Sequence, residues 1–533
     1  MYQRMPDEIV VTAPDDGRSG RRRQTRRVGR TWPGALALVL LGLGATGGLI
    51  YWGIVAHDDM ESRKPNNPDI ARRYGSGVAI FNSSGTAEMP PEVPIWISNP
   101  VSYNDSNCAQ INYLAKDNQI IMRSGGKDTP LAFKGVNWRG MEGWNHVITG
   151  LWDGPRDGNT LYRIGEFLAA NGFNAVRLPL EVYTTAKNEK IANNFNTQSQ
   201  RALARVNKYI DLIGLLAQGL GQFKIAVVLD FDTRSIGDIN PADRSVVSKG
   251  QRNSSLGSLG NGWENDNVRL ADYKAAVANL GTALCNSRHW NVVGLDIKDA
   301  PAGVTGSWDG DAGTSWSQFA TEVGNAVLKT CPQWLVFVQG LTGKSKYGDK
   351  TAEDWPGATL RDAATSPISL AIPDKVVYAP PFWSPSMEPR SYFYKSISDA
   401  GVVTEFASAS EVESAVHGAM DNMFGGVLAN TTAPVVLSSF GGLYGTKDAH
   451  PLKTSTRAID AMIRRMTTGT KPLSGGFWWA LNPDNVWPFP LPTATTPNVS
   501  GLLDATWRVP NTDEVKATSF MDAMPNLRFL PCD

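Results

Sequence analysis

The chain has 533 residues, enough for one large domain with appendages, so core burial is no constraint on its folding. Lys+Arg and Asp+Glu both number 51, which excludes a global field that would select nucleic acid or another strongly charged partner.

The charge is unevenly placed. Arg18, Arg21, Arg22, Arg23, Arg26, Arg27 and Arg30 precede "TWPGALALVLLGLGATGGLIYWGIVA", in which residues 31–56 carry no charge. A bilayer crossing takes roughly 20 apolar residues, and Gly34 to Val55 supplies them. Trp32, Tyr51 and Trp52 stand where interfacial aromatics belong, and the arginines belong on the cytoplasmic side. The expectation is an uncleaved single-pass signal-anchor of type II. It has a basic tail at 1–30, a transmembrane helix at 31–56, a polar stalk at 57–92 and an exported domain at 93–533, outside the plasma membrane or in the lumen of the secretory pathway. Gly44 and Gly48 have GxxxG spacing, a possible dimer contact within the membrane.

Two features beyond the apolar segment agree with export. N-x-S/T sequons begin at Asn82, Asn104, Asn253, Asn430 and Asn498. The cysteines are Cys108, Cys285, Cys331 and Cys532, and of the three possible pairings the expected one is Cys108–Cys532 with Cys285–Cys331. No Cys-x-x-Cys or His/Cys spacing suggests a metal, and no cofactor is expected.

From residue 110 the pattern alternates. "NQIIMRSGGKDTPLAFKGVNW" predicts a hairpin running into a strand. Strand-type runs follow: "NAVRLPL", "KIAVVLDFD", "NVVGLDI", "WLVFVQG", "KVVYAPPFW", "PVVLSSF" and "GGFWWAL". Between most of them lie stretches of helical period, such as "TLYRIGEFLAAN", "VRLADYKAAVANLGTALC" and "TRAIDAMIRRMTTG". Strands alternating with helices imply parallel β-structure, and eight strands fit a closed (β/α)8 TIM barrel preceded by the single-pass helix. Such barrels place their sites at the C-terminal strand ends, where "VLDFD", "DIKDAP" and "LSSFGG" turn from apolar to polar.

These stretches, together with "FKGVNWRGMEGWNHVITGLWD" and "FWWALNPDN", resemble the retaining glycoside hydrolases of family 5, which include endoglucanases, in the family's order over residues 110–510. The resemblance implies two catalytic glutamates, one in Asn-Glu-Pro after the fourth barrel strand and one in Gly-Glu-Phe-Gly on the seventh. Here the corresponding residues read Asp299-Ala300-Pro301 and Ser438-Ser439-Phe440-Gly441, so Ala300 and Ser439 stand in vestigial catalytic positions. An Asp-x-His pattern reads Asp230-Phe231-Asp232, and a His-x-Tyr pattern reads Pro381-Phe382-Trp383. Arg177, which the family places beside the nucleophile, and Trp479, which floors its central sugar subsite, remain. Arg177 can equally serve as an ion-pair partner for Asp232 or another carboxylate.

The expectation is a glycoside hydrolase-like pseudoenzyme that binds a β-linked oligo- or polysaccharide. The glycan-binding candidates are Trp479, Trp383, Asp299, Arg177, Asp232, Trp152, Trp308 and Trp138. Trp138 and Trp479 are also readable as barrel core, and Trp152, Trp308 and Trp383 as rim or cleft residues. Two alternatives stand beside this reading. One is a divergent β-glycosidase using Asp232 or Asp299; the other is a protein-interaction scaffold with a closed cleft.

Overall fold

Asp117–Asn118 (φ 55° and 57°) and Gly125–Gly126 (φ 56° and 78°) form two-residue turns with both residues in the left-handed region. Such turns match the twist of antiparallel strands, and they fold the segment before the barrel into a three-stranded sheet. Its strands are β1 (Asn112–Lys116), β2 (Gln119–Ser124) and β3 (Lys127–Leu131), with Lys116 opposite Gln119 and Ser124 opposite Lys127. The expected hairpin is present, and β1 is an additional strand. A computed structural model of the chain describes residues 100–532 apart from 104–107, 144–145, 153–156, 192–199, 233–260, 265–267, 302–304, 342–353, 399–401 and 490–497. It also describes a short strand pair, Ile80–Phe81 with Ala87–Glu88. The basic tail, the signal-anchor and most of the stalk lie outside the described residues, and among those described no helix is long and apolar enough to cross a membrane.

The eight strand-type runs become parallel strands: β4 (Phe133–Asn137), β5 (Ala175–Leu180), β6 (Ala226–Phe231), β7 (Val292–Asp296), β8 (Leu335–Val338), β9 (Val376–Tyr378) with β10 (Phe382–Trp383), β11 (Leu437–Gly441) and β12 (Gly475–Trp478). Pro380 and Pro381, which have no N–H to donate, split the sixth run into β9 and β10. The sheet order is β9-β8-β7-β6-β5-β4-β12-β11-β10. Both ends of that order belong to one run, and Tyr378 at the end of β9 bridges Val435 in parallel just before β11. The sheet therefore closes on itself as a barrel. Helices α1 (Leu161–Ala170), α2 (Tyr209–Gly221), α3 (Leu270–Leu284), α4 (Trp316–Thr330), α5 (Ala409–Met420) and α6 (Thr454–Thr467) connect successive strands. Of these, α5 was not anticipated, although Ser408 and Glu411 form a capping box at its start.

Two apolar clusters follow from this closure. The larger lies between strands and helices, where Leu161, Ile164, Leu212, Tyr273, Phe319 and Met462 meet the outer faces of the strands. The smaller fills the barrel with Phe133, Ala226, Val228, Phe337, Val436 and Phe477, and continues into Tyr113, Ile120 and Met122 of the three-stranded sheet. That sheet plugs the N-terminal mouth: the N–H groups of Tyr113, Ala115 and Asn118 bond the carbonyls of Gln333, Asp374 and Thr432, which precede β8, β9 and β11. Cys108–Cys532 and Cys285–Cys331 are both joined, as expected from the sequence. With one mouth plugged, the C-terminal ends of the strands remain for a site.

Candidate active site

Side chains alternate across a strand, so each inner row of apolar residues ends in a polar residue at the C-terminal mouth. Phe133 leads to Asn137 on β4, Ala175 to Arg177 on β5, Val228 to Asp230 on β6, and Phe337 to Gln339 after β8. Gly135, between Phe133 and Asn137, has no room for a side chain, because a Cβ there would lie 2.2 Å from the Phe477 ring.

Arg177 is the centre of the cluster. Its Nη2 lies 2.7 Å from Asp296 Oδ2, 2.8 Å from Asp230 Oδ1 and 2.9 Å from Asp299 Oδ1, while its Nη1 donates to Asn137 Oδ1 at 3.0 Å. Gln339 closes the far side. Its Nε2 donates to Asp296 at 2.9 Å and Asp299 at 3.0 Å, and its Oε1 accepts the Ala300 N–H at 2.9 Å. Asn137 turns its Nδ2 to Ser439 Oγ at 3.3 Å and to the Ser438 carbonyl at 3.1 Å.

Burial sets the electrostatics. It pushes Asp230 well above the carboxylate range against the opposing pull of Arg177, and pushes Asp296 up to about 6. Burial by itself would lower Arg177, but Asp230, Asp296 and Asp299 together hold it above its ordinary value. One guanidinium stands against three carboxylates, and burial favours the neutral form most at Asp230. Asp299 is the member that reaches the surface, with 23% of its side chain exposed.

Ala300 follows at φ 43°, half-buried, and a Cβ built on Gly357 would lie 3.0 Å from its Cα. Ser439 is buried on β11. Trp383 and Trp479 are half-buried and meet edge to face, with centroids 5.7 Å apart, and the Arg139 guanidinium lies 5.2 Å over the Trp479 ring. The Trp479–Ala480 peptide is cis. Trp152 is 37% exposed on the loop after β4; its indole N–H donates to Asp157 and its edge meets Trp507.

Two expectations are corrected. Trp308 is not a rim residue: it is buried, donates its indole N–H to the Ser366 carbonyl and packs near Tyr378. Trp138 is fully buried, with its N–H on the Thr149 carbonyl, so it offers no ring face to a ligand. Asp232 is half-buried just beyond β6, and the ion pairs of Arg177 go instead to Asp230, Asp296 and Asp299. Sequence reading missed Asp230, Asp296, Asn137 and Gln339. The available signal was an arginine on the inner row of a barrel strand, which requires carboxylates on the neighbouring strands.

A closed parallel barrel, plugged below and polar at its C-terminal ends, defines a (β/α)8 protein with its site at the upper mouth. The family model for cellulase (glycosyl hydrolase family 5) matches residues 126–485, more than half of the chain, and the chain belongs to that family. It is 26% identical to an endoglucanase of Paenibacillus polymyxa over 339 residues, 62% of this chain and 71% of the relative. It is also 26% identical to the major extracellular endoglucanase of Xanthomonas campestris over 408 residues, 76% of this chain and 71% of the relative. An endocellulase from Pyrococcus horikoshii, solved in complex with cellotetraose, has the same fold, with a TM-score of 0.59 and 23% identity over 78% of this chain and 99% of that one.

Proposed function

We propose that the chain is a membrane-anchored member of family 5 that binds a β-linked glycan at the mouth of its barrel without cleaving it. The observation that carries this reading is the pair of side chains at positions 300 and 439, a methyl group after β7 and a hydroxyl on β11. Retaining hydrolysis needs two carboxyls about 5–5.5 Å apart on opposite sides of the scissile bond, one to protonate the leaving oxygen and one to attack the anomeric carbon. Asp230, Asp296 and Asp299 stand side by side on one guanidinium, and Asp296 and Asp299 share both Arg177 Nη2 and Gln339 Nε2. Ser439 Oγ bonds an amide, Asn137, which cannot act as a general base.

Binding needs less than catalysis. The half-buried Trp383–Trp479 pair supplies apolar ring surface, Asp299 accepts a hydrogen bond from a sugar, and cellotetraose in the Pyrococcus endocellulase indicates the class of chain that such a barrel accommodates. The apolar segment 31–56, with its preceding arginines, holds the barrel at the outer face of the plasma membrane or in the secretory lumen.

Calorimetric titration of the full-length chain with cello-, laminari- and manno-hexaose tests the reading. Saturable binding of at least one is expected. Absence of binding to all three overturns it and favours a scaffold whose cleft is filled.

A further inference from the structure

Trp479 is held differently from most of the other tryptophans around the upper end of the barrel. Trp138, Trp152, Trp308, Trp316 and Trp487 each donate the indole N–H to a carbonyl or carboxylate oxygen, and that bond fixes the plane of the ring. Trp479 is anchored by its backbone, whose N–H donates to the Phe440 carbonyl at 2.8 Å, and its indole makes no hydrogen bond among the described residues. The ring is met instead by Trp383, edge to face at 5.7 Å, and by the Arg139 guanidinium, 5.2 Å from the ring centroid.

Of these two neighbours, Arg139 is the anchored one. It lies two residues beyond β4, Trp479 follows β12 directly, and the two strands pair in parallel with Val136 opposite Trp478. Adjacent strand ends therefore bring the two side chains together. The Arg139 backbone N–H donates to Asn482 Oδ1 at 2.9 Å, its Nη1 donates to Asn485 Oδ1 at 3.1 Å, and its Nε lies 3.5 Å from Glu142 Oε1. Each of those partners is itself held. Asn482 donates to Thr149 Oγ1 at 2.6 Å, Asn485 donates to the Asn482 carbonyl at 2.6 Å, and Glu142 Oε2 accepts the Gly140 N–H at 2.6 Å. Only 14% of the Arg139 side chain is exposed, and a cation attracts a ring face most strongly where water is excluded.

Resting on the glycan-binding reading above, we propose that Arg139 is the positioning residue of the glycan platform: it holds the Trp479 ring by a face, in the plane in which the ring meets a sugar. Stacking on an indole depends on that plane. A ring left to turn about its side-chain bonds must be ordered when the ligand arrives, and the ordering costs affinity. Arg139 removes that cost in advance and acts through Trp479, without a contact of its own to the glycan.

The test uses the full-length chain and the substitution Arg139→Met, which keeps an unbranched side chain and removes the cation. Since Glu142 then loses that cation, Arg139→Met is also made together with Glu142→Gln, which keeps the test open where the single variant does not fold. Calorimetric affinity for whichever of cello-, laminari- and manno-hexaose binds the unsubstituted chain should fall about five- to thirtyfold in both variants. The near-UV circular dichroism of the free chain, which reads the surroundings of each tryptophan, should change as well. That change should be absent when Arg139→Met is placed in a Trp479→Ala background. Unchanged affinity overturns the inference and leaves glycan binding standing. A near-UV spectrum that does not change, or a change that persists in the Trp479→Ala background, assigns Arg139 another role and also overturns it. Failure of all three hexaoses to bind the unsubstituted chain overturns the glycan reading and this inference together.

Discussion

Arg177 and Asp299 are joined at 2.9 Å across the end of the barrel, one wholly buried on β5 and the other partly exposed after β7. Through this contact the residue that faces the solvent is tied to a cluster that reaches Asn137 on β4, Asp230 on β6, Asp296 on β7 and Gln339 after β8. The consequence is rigidity at the mouth, and the cluster is both a structural clamp and the setting of the site.

Arg177→Met should be strongly destabilising. Removing one partner of a buried ion pair typically costs about 3–5 kcal/mol, because the partner charge stays buried without compensation. Here three carboxylates lose their common cation. Urea unfolding of the variant should show a large fall in midpoint, and Arg177→Lys should recover only part of it, since one ammonium cannot reproduce the planar fork.

Stability should fall as pH rises from the ordinary carboxylate range toward about 8, and Glu514 is a main cause. It is buried, accepts the Trp478 indole N–H at 2.9 Å, and burial pushes it up to about 8, partly offset by Lys447. In that window the folded chain holds a proton that the unfolded chain has released, so the slope of unfolding free energy against pH is negative. Its contribution is complete below the unfolded value and lost as pH passes the folded one. Urea unfolding as a function of pH should show the decline, and Glu514→Gln should flatten it. A slope unchanged in Glu514→Gln would locate the proton elsewhere.

Opening Cys108–Cys532 should loosen the plug from the C-terminus. The bond closes 424 residues of sequence separation and ties the start of the three-stranded sheet to the chain end. Cross-links of this kind are worth roughly 2–5 kcal/mol. The double variant Cys108→Ser, Cys532→Ser should unfold at lower temperature in a calorimetric scan, and a reducing agent should reproduce the shift.

Trp479→Ala should weaken oligosaccharide binding by at least about tenfold, equivalent to about 1.4 kcal/mol. Trp308→Ala should act on stability instead, because Trp308 is buried away from the mouth with its N–H on Ser366. Parallel titrations and thermal scans of the two variants separate the roles.

The barrel was legible because its strands are short apolar runs separated by helical periods, and runs such as "AVVLDF" and "LVFV" became β6 and β8 with little change. Both disulfides were also anticipated. The plug strand β1 was missed although Asp117–Asn118 is a turn signal, because "INYLA" was not weighed as a partner for the following hairpin. Individual tryptophans were harder. Trp308 follows a barrel strand and Trp383 ends one, yet the first finds a carbonyl and closes inward while the second stays half-buried beside Trp479. Local sequence does not carry that difference, since it depends on what the remaining loops place above each ring. The Arg177 cluster was half legible: Arg177 and Asp299 were singled out, while Asp296 and Gln339 gain their meaning only when β5, β6, β7 and β8 lie in succession.

The most direct measurement of the central claim is product analysis of the full-length chain after long incubation with cello-, laminari- and manno-hexaose, by native mass spectrometry. The account predicts intact hexaose bound to the chain and no shorter oligomers. Shortened oligomers that disappear in Asp232→Ala or Asp299→Ala would contradict it, and would mean that this barrel cleaves its glycan with carboxylates at positions other than 300 and 439.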